Sequence, residues 1–204
     1  IGAFTYSGQV CISVQRMFIH EEIRAAFMEK FLAGVATIRQ GDPIDASTDI
    51  GPMVDEAAAS RTQRWVDEAV ALGGEVMLGG TAEGAYFPPT VLANVPLHAQ
   101  VCSNEAFAPL VVVFRFSDLR EAVHAVNDSS FGLQAGVFTN DLGHAWHSFN
   151  ELEVGGVIVN DIPTYRIDHM PYGGVKESGL GREGLRFSIE DMTEIRILVL
   201  AWPT

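Results

Sequence analysis

Residues 110–116, L-V-V-V-F-R-F, place five apolar side chains in succession before Arg115 interrupts them. A strand with one face in water alternates apolar and polar residues, because successive side chains point to opposite faces. A run that does not alternate needs apolar cover on both sides, the condition of a central strand between layers of helices. This stretch therefore predicts an α/β fold in which a mostly parallel sheet is flanked by helices.

The rest of the chain is consistent with that demand. Residues 14–20 read as a strand, and residues 21–39 as an amphipathic helix with Ile23, Phe27, Phe31, Val35 and Ile38 on one face and Glu21 and Glu22 in its first turn. Gly41 and Pro43 end it. A second helix is expected at 55–72, closed by Gly73 and Gly74, then a strand at 75–78. Residues 87–95 read as an irregular strand, where Pro88 and Pro89, lacking N–H donors, favour a sheet edge or a strand start. Beyond the central run come a helix at 118–127 with Ser117 as its N-cap, a strand at 132–138, a helix at 141–152, a strand at 154–160 and a helix at 185–192. Residues 194–200 alternate Ile195, Ile197 and Val199 with Arg196, Leu198 and Leu200, a last strand that needs a pairing partner. There is no internal repeat.

Composition narrows the function classes. Twenty-six acidic against thirteen basic residues give a formal charge of −13, which opposes binding to nucleic acid and to anionic membranes. No apolar run is long enough to span a bilayer, and the basic-then-apolar order of a signal peptide is absent from the first residues. With only Cys11 and Cys102, a disulfide framework is not what holds 204 residues together, and a reducing, cytoplasmic setting is expected. The loop holding Asp42, Asp45 and Asp49 lacks the alternating ligands and closing glutamate of a calcium loop, so no metal is assigned.

Cys11 stands in F-T-Y-S-G-Q-V-C-I-S-V-Q-R, beside a glycine turn and among small or aliphatic neighbours that do not resemble metal ligands. A thiol ionised by a nearby base or by aimed N–H groups is a strong nucleophile, although a lone free cysteine is commonly a small core residue. Downstream, N-E-A-F-A-P sets Glu105 and Phe107 just before the central strand, at a strand end where α/β folds gather ligands. The glycine-rich stretch 170–184, M-P-Y-G-G-V-K-E-S-G-L-G-R-E-G, lacks the Gly-Lys-Ser/Thr closure of a phosphate-binding loop.

These segments, with G-D-P near residue 41, I-G-P-M near 50, F-G-L-Q-A-G-V-F-T near 131 and V-G-G-V-I-V-N ending at Asn160, resemble the aldehyde dehydrogenase superfamily in order and almost throughout the chain. The resemblance implies that Cys11 attacks an aldehyde, that a thiohemiacetal passes hydride to NAD or NADP, and that the resulting thioester is hydrolysed. It implies that Glu105 binds the nicotinamide ribose hydroxyls and that Phe107 packs near the nicotinamide. Asn160 matches a position near the substrate mouth, whereas the 170–184 loop is structural, with Tyr172 where phenylalanine is commoner. Arg166, in the loop after Asn160, is a candidate for an anionic group on the substrate, against the alternative of a surface ion pair with Asp161 or Asp168.

The resemblance further implies a catalytic domain over residues 1–193 and an oligomerisation strand over 194–204, hence a homo-oligomer. The nucleotide-binding domain, the glutamate base and the oxyanion amide of the family fall upstream of Ile1, so the chain reads as a piece of a longer enzyme, inactive alone. Two other readings stay open: a non-catalytic folding or assembly fragment, and a cysteine hydrolase using one of His20, His98, His124, His144, His147 or His169 as base.

Overall fold

The computed structural model describes residues 1–202. Its centre is a four-stranded sheet of order β1-β4-β3-β2, built from β1 (Arg16–His20), β4 (Leu110–Phe116), β3 (Thr90–Ala93) and β2 (Glu75–Leu78). β1, β4 and β3 run parallel, and β2 joins antiparallel. The apolar run is thus flanked by strands on both sides, and its side chains divide by parity. Leu110 and Val112 enter a core with Val66, Phe87, Leu92 and Val101. Val111 and Val113 enter a second core with Phe4, Ile19, Met28 and Val91. Helix α2 (Glu56–Ala71) and the short α3 (Gln100–Ser103) supply the first layer, and α1 (Glu21–Val35) the second.

Aspartates start the helices. Asp55 caps α2 by accepting from the Ala58 N–H at 2.7 Å, and Asp141 caps α5 (Leu142–Glu151) by accepting from His144 at 3.0 Å. The expected Ser117 cap is replaced by Asp118, which accepts from the Arg120 N–H at 2.7 Å and starts α4 (Leu119–Asn127) one residue later. Helix α1 stops at Val35 rather than Arg39, because the Thr37 hydroxyl donates to the Gly34 carbonyl at 2.8 Å and draws the chain out of register. Ile23, expected on its buried face, is exposed, and Met28 takes the core position. β3 is an interior strand, so Pro88 and Pro89 mark its start and not a sheet edge.

Past β4 the single expected sheet separates into pieces. The strand expected at 132–138 is two: β5 (Phe131–Gly132) pairs antiparallel with β8 (Val175–Lys176), while β6 (Gln134–Val137) pairs parallel with β7 (Gly156–Val159). Gly132 sits so close to the Glu153 carbonyl that a Cβ there would lie 2.3 Å from it, which is where the strand breaks. After α6 (Leu185–Asp191), the expected last strand is not formed: residues 194–202 pair with nothing among the described residues, and Ile195, Ile197 and Trp202 are exposed. A strand exists only through bonds to a neighbour, and none of the described strands pairs with it. The last two positions of that expected segment lie outside the described residues.

Candidate active site

Cys11 is exposed and follows an unusual turn. Tyr6, Ser7 and Gly8 have φ of 53°, 57° and 68°, three successive left-handed residues, two of which carry side chains. Such geometry persists only when neighbours hold it. Here the buried Ser7 hydroxyl donates to the Gly51 carbonyl at 2.8 Å, and the Gln9 carboxamide oxygen accepts from the Val54 N–H at 2.9 Å. Gly8 is required on two counts: its φ, and the Ala108 carbonyl oxygen, which would lie 1.9 Å from any Cβ. That close approach seats the cysteine turn on the segment carrying Glu105 and Phe107.

A second device fixes the same segment. The Gln15 carboxamide donates to the carbonyls of Val101 at 2.8 Å and Asn104 at 2.6 Å, and accepts from the Ala106 N–H at 2.9 Å. Arg61, from α2, donates to the Ala106 carbonyl at 2.7 Å and lies against Trp65. Ala106 and Ala108 are buried while Glu105 and Phe107 between and beside them are exposed. Phe107 is itself left-handed, at φ 48°. The outcome is a narrow hollow of about 40 Å³ whose wall includes Cys11, Gln15, Glu105 and Phe107.

Three sequence candidates are thus brought together. An exposed carboxylate with two acceptor oxygens and an exposed aromatic ring therefore line one hollow with the sulfur. Gln15 was not among the candidates, although a carboxamide in the segment expected as a strand at 14–20 has to find partners, and that was the available signal.

A wider hollow of about 410 Å³ opens on the other side of Cys11, lined by Leu133, Tyr172, Arg182, Glu183 and Asp191 among others. The Tyr172 hydroxyl is 2.9 Å from Cys11 Sγ. Arg166 lies over the Tyr172 ring, 4.3 Å from its centroid, and pairs with Glu183 at 2.8 Å. Its ion-pair partner is therefore neither Asp161 nor Asp168, and it reaches Cys11 only through Tyr172. Asn160 is not in either wall beside Cys11. It is left-handed at φ 61°, and its side-chain oxygen accepts from the Thr139 N–H at 2.9 Å, holding the turn after β6.

Other ionisable side chains serve the structure. Cys102 is buried, and burial pushes its thiol up to about 12, so it stays protonated and inert. Lys176 donates to the Asn127 and Ser129 carbonyls at 2.7 and 3.0 Å and pairs with Glu153 at 2.6 Å, which leaves its charge matched within the protein. Asp42 and Asp45 accept from the N–H groups of Ile44 and Ser47, and Asp49 accepts from Arg39, so these carboxylates shape a loop. Arg16 donates to the Ala125 and Val126 carbonyls at the end of α4, where burial lowers its pKa.

The model of the aldehyde dehydrogenase family matches residues 1–198. The chain belongs to that family. It is 50% identical over 198 residues to the 3-sulfolactaldehyde dehydrogenase of Priestia megaterium, covering 97% of this chain and 42% of that protein. The lactaldehyde dehydrogenase of Methanococcus aeolicus is 38% identical, with 98% and 43% covered. Among solved structures, aldehyde dehydrogenase 21 from Physcomitrella patens, in complex with the reaction product succinate, superposes with a TM-score of 0.93 at 44% identity, over 95% of this chain and 40% of that one. The glyceraldehyde-3-phosphate dehydrogenase of Methanocaldococcus jannaschii, complexed with NADP, gives 0.92 at 38% identity, with 96% and 42% covered. The chain thus spans about two-fifths of the length of these aldehyde dehydrogenases. No helix among the described residues is long and apolar enough to cross a membrane.

Proposed function

We propose that this chain is the catalytic part of an NAD(P)-dependent aldehyde dehydrogenase in which Cys11 is the nucleophile. The observation that carries the reading is the shared hollow in which Cys11 faces Glu105 and Phe107. Cys11 Sγ forms a bond to the aldehyde carbon while the carbonyl π pair moves to oxygen. The Cys11 backbone N–H is one donor for that oxygen. A nicotinamide dinucleotide, when bound, supplies the hydride acceptor. Glu105 accepts from the ribose hydroxyls, and Phe107 walls the ring side of the hollow so that the reacting carbon and the sulfur are held together with little water between them. When the adduct's oxygen re-forms the carbonyl and its carbon gives up hydride to that acceptor, a thioester is left on Cys11, which water cleaves to a carboxylate, freeing the thiol. The base for that step is assigned to no residue of this chain.

For the substrate we favour an aldehyde carrying an acidic group. Support comes from the names of its relatives, which include 3-sulfolactaldehyde and aspartate-semialdehyde dehydrogenases. Arg166 is the proposed partner of that group, and Asn160 the proposed residue at the mouth. Residues 194–200, largely apolar and unpaired among the described residues, are proposed to pair in a homo-oligomer.

The test is oxidation of an acidic aldehyde by the intact enzyme, followed by absorbance of the reduced nicotinamide. Cys11→Ala should abolish turnover and Glu105→Gln should raise the cofactor KM. Arg166→Ala should raise KM for acidic aldehydes far more than for neutral ones. Turnover retained by Cys11→Ala would reject the assignment.

A further inference from the structure

Tyr172 and Cys11 are separated by 161 residues, yet the phenol oxygen and the sulfur are 2.9 Å apart. The tyrosine is held closely. It is 5% exposed, its ring carries the Arg166 guanidinium at 4.3 Å, and Arg166 is anchored by Glu183 at 2.8 Å. Glu183 is in turn tied to the tyrosine backbone: the Tyr172 N–H donates to the Glu183 carbonyl at 3.0 Å, and the Glu183 N–H donates back at 2.6 Å. Ring, cation and carboxylate form a closed support behind one hydroxyl.

We propose that Tyr172 is a positioning residue for the nucleophile: its hydroxyl, braced by the Arg166–Glu183 pair, donates to Cys11 Sγ and holds the sulfur in one orientation between the two hollows. The proposal rests on the reading of Cys11 as nucleophile and adds what controls it. The direction of the bond follows from chemistry. A thiolate has no proton to give, so once the sulfur ionises only the phenol can donate. Burial first, and the contact with Cys11 second, raise the tyrosine pKa above its ordinary value of 10.0, so the phenol is held protonated and able to donate. A donor to an anion stabilises that anion, and the bond therefore favours thiolate over thiol.

The other charged groups facing the pair are Arg166 over the ring, Glu105 from the narrow hollow, and Arg182, Glu183 and Asp191 from the wide one. Arg182 is spent on the Gly174 and Gly181 carbonyls, at 2.9 and 2.7 Å. None of these is altered when tyrosine becomes phenylalanine. That substitution keeps the ring and its stack and removes only the hydroxyl.

The experiment is alkylation of Cys11 by iodoacetamide as a function of pH, read by mass mapping of the Cys11 peptide in the intact protein and in Tyr172→Phe. The midpoint should rise by about one unit in the variant, a roughly tenfold loss of rate at pH values below both midpoints. An unchanged or lowered midpoint overturns the proposal. Should circular dichroism show that Tyr172→Phe is unfolded, uniform 3-fluorotyrosine in place of tyrosine provides the second test. Its more acidic phenol is a stronger donor and should lower the midpoint, and no displacement overturns the proposal. Aldehyde oxidation by Cys11→Ala tests the role of the sulfur, whereas the alkylation profile tests the hydroxyl, so the two readings can fail separately.

Discussion

Replacing Gln15 should loosen the cofactor side of the site while leaving the nucleophile side intact. Its carboxamide makes three hydrogen bonds to the segment before β4: to the Val101 and Asn104 carbonyls and from the Ala106 N–H. At a net contribution of about 1 kcal/mol each these sum to roughly 3 kcal/mol. Two adjustments apply. Val101 and Ala106 are 0% and 1% exposed, so their freed backbone groups are poorly reached by water, which raises the cost. Asn104 is exposed and its carbonyl can rehydrate, which lowers it. We expect Gln15→Met, which keeps side-chain length and removes the polar atoms, to lose about 2–4 kcal/mol in urea denaturation. Arg61 still holds the Ala106 carbonyl at 2.7 Å, so the segment should shift and not melt. A shift of Glu105 that costs one charge-assisted hydrogen bond to the ribose raises the cofactor KM about tenfold. Alkylation of Cys11 in the same variant should stay within about twofold of wild type, since Ser7 on Gly51 and Gln9 on Val54 anchor the cysteine turn outside the segment that moves. Loss of under about 0.5 kcal/mol together with an unchanged cofactor KM would refute the reasoning.

Four further outcomes are expected. Gly8→Ala, which sets a Cβ 1.9 Å from the Ala108 carbonyl oxygen at a φ of 68°, should destabilise by at least about 2 kcal/mol and slow Cys11 alkylation; near-wild-type behaviour in both would show that the turn can relax. Cys11 should be alkylated well before Cys102, as peptide mapping will read. Because the Cys102 thiol rises from 9.0 to about 12 on folding, the folded state holds that proton longer. Its stabilising effect is complete below pH 9.0 and is lost as pH climbs from there towards 12, a slope that Cys102→Ala should remove from alkaline denaturation curves. The 204-residue chain by itself should show no sustained aldehyde oxidation, because the proposed nicotinamide contacts, Glu105 and Phe107, would by themselves hold it loosely, and orientation of the reactants supplies about 7–11 kcal/mol of barrier reduction. Steady production of reduced nicotinamide that disappears in Cys11→Ala would contradict this.

Local and periodic features were legible in the sequence because they depend on neighbours in the chain. The unbroken run at Leu110–Phe116 required two apolar layers, and both are present. Asp141, just ahead of an apolar-periodic segment, starts α5. The cysteine turn and the Glu105–Phe107 segment were visible through their motifs, although family resemblance and not residue chemistry assigned their roles. Errors fell where a local preference met a competitor. Ser117 lost the cap to a carboxylate one residue on, and Ile23 lost its core position to Met28. A different case is the alternating segment after Glu194, which pairs with no strand among the described residues and whose proposed partner is a second copy of the chain.

What only the tertiary structure decided is which distant polar groups meet. Gln15 meets Ala106 across 91 residues, and Tyr172 meets Cys11 across 161. A hydrogen bond is worth making only at about 3 Å and in one direction, so its partner is set by how the β1 and β4 ends and the glycine-rich loop are packed, not by any period in the chain. The sequence by itself determined that a sulfur, a carboxylate and an aromatic ring were available at loop ends. Packing of the sheet against its helices decided that they share one hollow, and that a tyrosine braced by an arginine stands behind the sulfur.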